Sequence, residues 1–159
     1  MTGQAMLGPK GRVLRSLETD VTIRGTPEQV WSVLTDFEKY PEWNPFIRET
    51  SGEARRGARL KVRIHPPGGS PMTFWPTVRE ASPGRELRWL GHLWLPSLFD
   101  GEHVFRIEPA GEGQTRFRQS EQFRGILVPL FPNTMYEKAR RGFEEMNRAL
   151  KERVEDLYR

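Results

Sequence analysis

The sequence predicts an α+β fold in which a curved antiparallel sheet of seven strands wraps around a long C-terminal helix. Three observations carry this prediction. Apolar residues recur every three or four positions from Pro132 to Tyr158, as they do on one face of a helix. Segments in which apolar and polar residues alternate fill most of residues 47–124. Two proline-marked stretches between the first strand and these segments predict two short helices.

The first strand begins near Val13 and ends at Gly25, where the alternation of apolar and polar residues stops. Thr26 then predicts a helix N-cap, and Pro27 fits the first helical position. Gln29 completes a capping box, because its side chain can reach back to the Thr26 backbone. A short helix is therefore expected directly after the strand. Its inward residues are expected to be Val30, Trp31 and Leu34.

A second short helix is predicted from Asp36, and Pro41 and Pro45 prevent it from continuing. This stretch is rich in aromatic side chains, which we expect to be mostly core and to seal one side of a cavity between the sheet and the long helix. These aromatic residues are Tyr40, Trp43 and Phe46.

Six further strands follow in the prediction. They lie near residues 47–53, 58–65, 72–81, 85–92, 101–108 and 115–124. Their connections are short and rich in glycine and proline, which is typical of an antiparallel meander. Pro76 lies inside the segment 72–81 and has no backbone N–H, so we expect a bulge or bend there. Seven antiparallel strands twist too strongly to remain flat, so the sheet is expected to curve.

The final helix carries charged i,i+4 pairs on the faces that flank its apolar face. At about 1.5 Å per residue it is roughly 35–40 Å long, enough to cross a small domain. Gly142 costs about 1 kcal/mol relative to alanine inside a helix. It leaves room for a ligand or a close strand, or it is simply tolerated. The apolar face consists of Tyr136, Ala139, Phe143, Met146, Leu150, Val154 and Leu157.

Length and composition restrict the function classes. The 159 residues predict one domain over residues 13–159 after a flexible leader at 1–12. The absence of cysteine excludes disulfides and thiolate chemistry. The net charge of +4 comes from scattered arginines, which argues against a nucleic-acid surface. No apolar run is long enough to cross a bilayer, so we expect a cytoplasmic protein without an integral membrane segment.

No cofactor is expected. The three histidines, His65, His92 and His103, lack the spacing of metal ligands, and no glycine-rich phosphate loop precedes a helix. No nucleophile motif of the hydrolase type is present either.

The stretch TPEQVWSVLTDFEKYPEWNPFI, from Thr26 to Ile47, resembles the START-like or SRPBCC superfamily, whose fold is called the helix grip. The resemblance continues through GEHVFRIEP, TRFRQSEQFRG and GFEEMNRALKERVE, and it covers about residues 13–157. It points to the polyketide cyclase/dehydrase-like branch of uncharacterised bacterial proteins. It implies a deep apolar cavity between the sheet and the long helix. Because the superfamily includes lipid carriers, hormone receptors and aromatase/cyclases, it implies no single function.

Three loops are predicted at one end of the sheet, at 65–71, 92–100 and 125–133, and the last two are unusually apolar. In the resembled fold these positions form the cavity entrance and can act as a gate. Alternatively, they plug the open end of the sheet, or they contact a partner or a membrane. Strand parity, these loops and the N-terminal half of the long helix together give ten expected ligand contacts. They are Trp89, Phe105, Phe117, Gln119, Phe123, Leu95, Phe99, Leu130, Tyr136 and Phe143.

His103 and Glu121 are polar residues on strand faces that are otherwise apolar. If Ile107 pairs with Phe117 across the hairpin, His103 lies opposite Glu121. A slip by two residues would pair His103 with Gln119 instead. The pair could be structural, could bind a polar group of a ligand, or could abstract a proton beside a carbonyl.

The sequence therefore predicts a protein that binds or carries a hydrophobic small molecule, such as a lipid, a polycyclic aromatic or a polyketide-like compound. The alternative is a cyclase, dehydratase or aromatase with His103 and Glu121 as its acid/base pair. A third hypothesis is an interaction protein whose apolar loops dock a partner chain. We favour the binding protein over the enzyme. A homodimer is compatible with the sequence, and nucleic acid is not an expected partner.

Overall fold

The computed structural model describes residues 12–159, so the predicted leader lies outside the described residues apart from Arg12. Within these residues the chain forms eight strands, three α-helices and two short 3₁₀ turns. In chain order they are β1 (Arg15–Arg24), α1 (Pro27–Thr35), a 3₁₀ turn (Phe37–Lys39), α2 (Tyr40–Trp43), β2 (Ile47–Ser51), β3 (Lys61–Ile64), β4 (Met72–Phe74), β5 (Thr77–Ser82), β6 (Glu86–His92), β7 (Asp100–Pro109), β8 (Gln114–Arg124), a second 3₁₀ turn (Val128–Leu130) and α3 (Asn133–Leu157).

The strands form two antiparallel sheets, a larger one in the order β1-β8-β7-β6-β5 and a smaller one in the order β2-β3-β4. The predicted α+β fold, with a curved antiparallel sheet and a long C-terminal helix, is confirmed. The strand count differs, because the segment 72–81 is two strands and not one. It breaks at Pro76, which has no N–H to donate to a ladder.

Backbone hydrogen bonds still join the two sheets beside this break. The Gly57 amide donates to the Val78 carbonyl and the Val78 amide donates to the Ala58 carbonyl, both at 2.8 Å. The Leu60 amide donates to the Pro76 carbonyl at 2.9 Å. The two sheets therefore form one bent wall that is continuous in hydrogen bonding at this point.

Helix α1 begins as the sequence predicts. The Thr26 hydroxyl accepts from the Gln29 amide, and the Gln29 side chain accepts from the Thr26 amide at 2.9 Å. Two orphan N–H groups of the first turn are thereby satisfied. The inward face differs slightly from the prediction, because Val33 is buried while Trp31 is only half-buried. Val30 and Leu34 are fully buried, as expected.

Helix α3 buries one face against the larger sheet and α1. Leu157, predicted to belong to this face, is 54 % exposed, because it lies at the last residue of the helix. Gly142 is needed for space: a Cβ at this position would overlap the ring of Phe46. Neither a ligand nor a strand takes that room. Asn44 positions Phe46, since its side-chain oxygen accepts from the Phe46 amide at 3.0 Å.

The two ends of the domain are built differently. At one end, which we call the closed end, α1 packs against α3 and the adjoining ends of β7 and β8. Thr115 donates its hydroxyl to the Gly25 carbonyl there at 2.7 Å, and Val154 of α3 lies against Gly25. At the opposite end, which we call the open end, the first half of α3 lies across from the strands without filling the space between them. This end holds the cavity.

Candidate functional site

A cavity of ≈ 150 Å³ lies between the bent wall of strands and the first half of α3. Both sheets, α3 and the connecting loops supply its lining, which is mostly carbon. The lining consists of Phe46, Ile47, Val62, Ile64, Pro66, Met72, Phe74, Pro76, Trp89, Gly91, His92, Leu93, Phe99, Gly101, His103, Glu121, Phe123, Phe131, Met135, Tyr136, Ala139 and Phe143.

The structure brings seven of the residues singled out by sequence together at this cavity. They are Trp89, Phe99, His103, Glu121, Phe123, Tyr136 and Phe143. Phe105, Phe117 and Gln119 are fully buried and do not belong to the lining. Leu95 and Leu130 do not belong to it either, and they are 65 % and 75 % exposed. A ligand contact by these five residues stays a prediction.

Sequence reasoning missed the part of the wall that the smaller sheet supplies. Val62 and Ile64 of β3 and Met72 and Phe74 of β4 all line the cavity. The signal was present, because each pair is spaced two residues apart and so points to one face of its strand. A single continuous meander, however, gave no reason to place these strands opposite α3. Phe46 had been assigned to the core, and it forms part of the lining as well.

The polar spot of the cavity is formed by His103 and Glu121. The predicted register is observed, since His103 is the cross-strand partner of Glu121 and Ile107 that of Phe117. The Nδ1 atom of His103 lies 3.3 Å from Glu121 Oε2. Its Nε2 atom lies 2.9 Å from Gln119 Oε1, so both ring nitrogens have a protein partner.

A chain of amides continues from His103 through the core. Gln119 donates from Nε2 to Asn147 Oδ1 at 2.7 Å and to the Phe143 carbonyl at 3.3 Å. Asn147 donates in turn to the Thr19 hydroxyl at 2.9 Å. Gln119 and Asn147 are buried polar residues, and each has its hydrogen bonds satisfied inside the protein. The chain therefore links the cavity to α3 and β1.

Aromatic rings hold the imidazole of His103 in place. It stacks on Phe105 with a centroid distance of 4.3 Å, and the rings of Trp89 and Phe143 lie at 5.6 Å and 4.9 Å. Gly101 leaves room for the carboxylate of Glu121, because a Cβ there would lie 2.5 Å from Glu121 Oε1. The position of both polar groups is thus fixed by packing as well as by hydrogen bonds.

The mouth of the cavity is flanked by two loops, at 93–99 and 125–131. They are joined by backbone hydrogen bonds, such as the one from the Leu127 amide to the Leu98 carbonyl at 3.0 Å. Each presents large apolar side chains to solvent, and the exposed fractions of Trp94 and Ile126 are 68 % and 72 %. Trp94 and Ser97 have positive φ angles of 67° and 72°, a region that residues other than glycine rarely adopt.

His92 and Asp100 anchor the first of these loops. The Nδ1 atom of His92 lies 2.7 Å from Asp100 Oδ1, and the Ser97 amide donates to both carboxylate oxygens of Asp100. Asp100 is buried, so these hydrogen bonds compensate for the loss of water around its charge. His92 was not predicted to be a site residue, and the structure places it in the lining at the mouth.

Tyr136 and His65 are two titratable residues near the open end whose pKa values are shifted. The Tyr136 hydroxyl donates to the Val128 carbonyl at 2.8 Å, and burial raises the pKa of Tyr136 although the nearby Arg15 opposes this. The guanidinium of Arg15 lies 4.1 Å from the centre of the Tyr136 ring. Burial, followed by the charges of Arg48 and Arg63, lowers the pKa of His65, which does not belong to the lining.

Two classes of site receive no support from residues 12–159. No group of three histidine, aspartate or glutamate side chains is arranged there to hold a metal ion. In the same part of the chain, no helix is long and apolar enough to cross a membrane.

Comparison with known sequences identifies one family. A sequence model of the family described as polyketide cyclase/dehydrase and lipid transport matches residues 15–155. No curated protein is significantly similar to the chain in sequence.

Solved structures with the same fold are numerous. A START superfamily protein from Mycobacterium smegmatis is 23 % identical, with a TM-score of 0.71 over 89 % of this chain and 98 % of that protein. The aromatase/cyclase ZhuI from Streptomyces sp. R1128 is 16 % identical, with a TM-score of 0.73 over 91 % and 96 %. Norcoclaurine synthase from Thalictrum flavum is 12 % identical, with a TM-score of 0.65 over 91 % and 96 %. At these identities the similarity establishes the fold alone.

Proposed function

Because the chain belongs to the polyketide cyclase/dehydrase and lipid transport family, we propose that it binds or carries a hydrophobic small molecule in the cavity beside α3. The observation that supports this proposal is the composition of the cavity lining. Its lining is almost entirely apolar, with one polar spot at His103 and Glu121, which is the usual composition of a small-molecule site.

The size of the cavity indicates the size of the part of the ligand that it encloses. An engineered apolar cavity of about 150 Å³ in another protein binds benzene. The volume of ≈ 150 Å³ here therefore suits one ring or a small fused ring system, with any longer part of the ligand leaving through the mouth. Each Å² of apolar surface that leaves water contributes roughly 25 cal/mol to binding.

The test uses 2-methylnaphthalene as a neutral apolar probe and follows amide chemical shifts by NMR. Ala139→Leu fills the cavity from α3, since Ala139 is part of the lining. Ala149→Leu makes the same change on the same helix at a half-buried position outside the lining. We expect saturable one-to-one binding that Ala139→Leu weakens at least tenfold and Ala149→Leu leaves unchanged. If the probe does not bind, or if it binds Ala139→Leu as well as the unaltered protein, the proposal fails.

A second candidate function is an enzyme of the cyclase, dehydratase or aromatase type, and the contact between His103 and Glu121 favours it. The carboxylate is the member of this pair with a free oxygen, so it would exchange a proton with a carbon next to a substrate carbonyl. His103, in contact with the other carboxylate oxygen, would hold Glu121 in position. Turnover of a linear poly-β-ketone, followed by mass spectrometry, should be lost in His103→Ala while that variant still binds 2-methylnaphthalene. Absence of any turnover in the unaltered protein would leave only the binding function.

A further inference from the structure

The hydrogen-bonding direction of the whole polar chain is set by one backbone carbonyl. The Phe143 carbonyl can only accept, and it lies 3.3 Å from the nitrogen of the Gln119 amide. The same nitrogen donates to Asn147 Oδ1. The amide oxygen of Gln119 must therefore face the other way, towards His103.

This orientation fixes the proton on His103. Gln119 Oε1 is an acceptor, so the Nε2 atom of His103, 2.9 Å away, must carry a hydrogen. The neutral tautomer with its hydrogen on Nδ1 is excluded, because the lone pair of His103 Nε2 would then face a lone pair of Gln119 Oε1. What happens at Nδ1 depends on Glu121, whose Oε2 lies 3.3 Å away.

The 3.3 Å separation is that of an ion-pair contact, and two arrangements of the proton are compatible with it. Either the imidazolium donates from Nδ1 to the carboxylate, or a protonated Glu121 donates from Oε2 to the neutral ring. In both arrangements Oε2 is used inside the protein. In both, Oε1 of Glu121 keeps its lone pairs and has no hydrogen to give.

The Oε1 atom lies over Gly101, on the strand face that also carries His103, and Gly101 and Glu121 both belong to the lining. A ligand in the cavity would therefore reach Glu121 through Oε1. Of the other ionisable side chains of the lining, Tyr136 donates to the Val128 carbonyl, and His92, at the mouth, contacts Asp100 through Nδ1. Within residues 12–159 no protein group is hydrogen-bonded to Glu121 Oε1.

We propose that the cavity selects apolar ring compounds that carry a hydrogen-bond donor, a phenolic or alcoholic hydroxyl, and that it rejects the corresponding carboxylates. This inference rests on the proposed binding function and specifies its ligand class. A hydroxyl donates to Glu121 Oε1, whereas an ether offers only an acceptor. A carboxylate brings only acceptors, and its negative charge would lose its water in an apolar cavity.

The experiment compares four naphthalenes of similar shape by NMR titration: 2-naphthol, 2-methoxynaphthalene, 2-methylnaphthalene and 2-naphthoate. We expect 2-naphthol to bind roughly tenfold more tightly than 2-methoxynaphthalene, because only the hydroxyl can donate a hydrogen bond to Oε1. We expect 2-naphthoate to bind most weakly. The titrations use the full chain at one pH and one ionic strength.

Two variants assign the preference to Glu121. Glu121→Met removes the acceptor and keeps an apolar side chain of similar length. Gly101→Ala leaves the carboxylate in the chain but adds a Cβ where Oε1 lies. Both should reduce the ratio of 2-naphthol to 2-methoxynaphthalene affinity to about one while 2-methylnaphthalene still binds. Glu137→Met, an exposed glutamate of α3 outside the lining, should leave all four affinities unchanged.

The outcomes separate the two proposals. If 2-methylnaphthalene fails to bind the unaltered protein, the proposed function is wrong and the donor preference falls with it. If all four compounds bind equally, the binding function stands and the donor preference is overturned. A preference for 2-naphthol that survives in Gly101→Ala and Glu121→Met would remove Glu121 from the assignment. Because Gly101→Ala changes only one methyl group, it keeps the test decisive if Glu121→Met does not fold.

Discussion

The closed and open ends of this domain share the same helix and the same strands, yet they differ in how the space between them is filled. At the closed end, Met146, Leu150 and Val154 of α3 are fully buried against the sheet and α1. At the open end, Met135 and Ala139 are only half-buried and face a cavity. The half of α3 that stabilises the fold is therefore distinct from the half that borders the binding cavity.

The largest difference is expected between Leu150→Ala and Met135→Ala. Leu150 is fully buried, so its truncation should lower the free energy of unfolding by about 2–5 kcal/mol. Met135 already borders empty space, so its truncation should cost less than about 1 kcal/mol. Chemical denaturation measures both free energies of unfolding, with the same m-value, the slope against denaturant concentration, used for the two variants. Equal losses would contradict the separation of the two ends.

The next largest loss of stability is expected for Gly142→Ala, at the position where the two halves of α3 meet. The added Cβ would overlap the Phe46 ring, and overpacking of this kind costs about 1–3 kcal/mol. That cost should outweigh the gain of about 1 kcal/mol in helix propensity. The double variant with Phe46→Leu should recover part of the loss in a denaturation experiment. If Gly142→Ala stabilises the protein, Phe46 is not the reason for this glycine.

Gln119→Leu should lower the free energy of unfolding by about 1–3 kcal/mol, because His103 Nε2 and Asn147 would both lose a buried partner. Gln114→Leu, at an exposed position of the same strand, serves as the control and should change stability little. The imidazole signals of His103 should also move in the NMR spectrum of Gln119→Leu. Unchanged histidine signals would contradict the proton assignment.

The smallest expected effect is on the free energy of unfolding at acidic pH. Burial alone would raise the pKa of Glu155 at the closed end, but hydrogen bonds from Arg24 and Lys151 outweigh it and leave the pKa below its usual value. A carboxylate with a lowered pKa stabilises the fold above its unfolded-state pKa and loses this contribution as the pH falls through the folded value. Glu155→Gln should therefore cost less than about 1 kcal/mol near pH 7 and nothing near pH 2. Urea denaturation at both pH values measures this.

The sequence was sufficient wherever a local pattern decides the structure. The capping box at Thr26, the long helix and the register of His103 with Glu121 each follow from residues close in sequence or from one hairpin. The cavity walls from β3 and β4 could not be predicted in the same way, because their place depends on the break at Pro76.

Two features of the site had only weak signals in the sequence. The fit of Phe46 over Gly142 joins residues that are far apart in the chain, and no periodicity relates them. The amide chain from Gln119 through Asn147 depends on side-chain orientation, which strand parity does not specify.

The break at Pro76 gives the cavity wall a joint. The smaller sheet is fastened to the larger one beside this residue by the backbone hydrogen bonds of Gly57, Val78 and Leu60. If the cavity widens, we expect these few bonds to open first, while the ladders of β6, β7 and β8 stay intact. Amide hydrogen exchange at Val78 and Leu60 should thus accelerate as the bound ring system becomes larger. We therefore expect Pro76 to let the size of the cavity follow the size of its ligand.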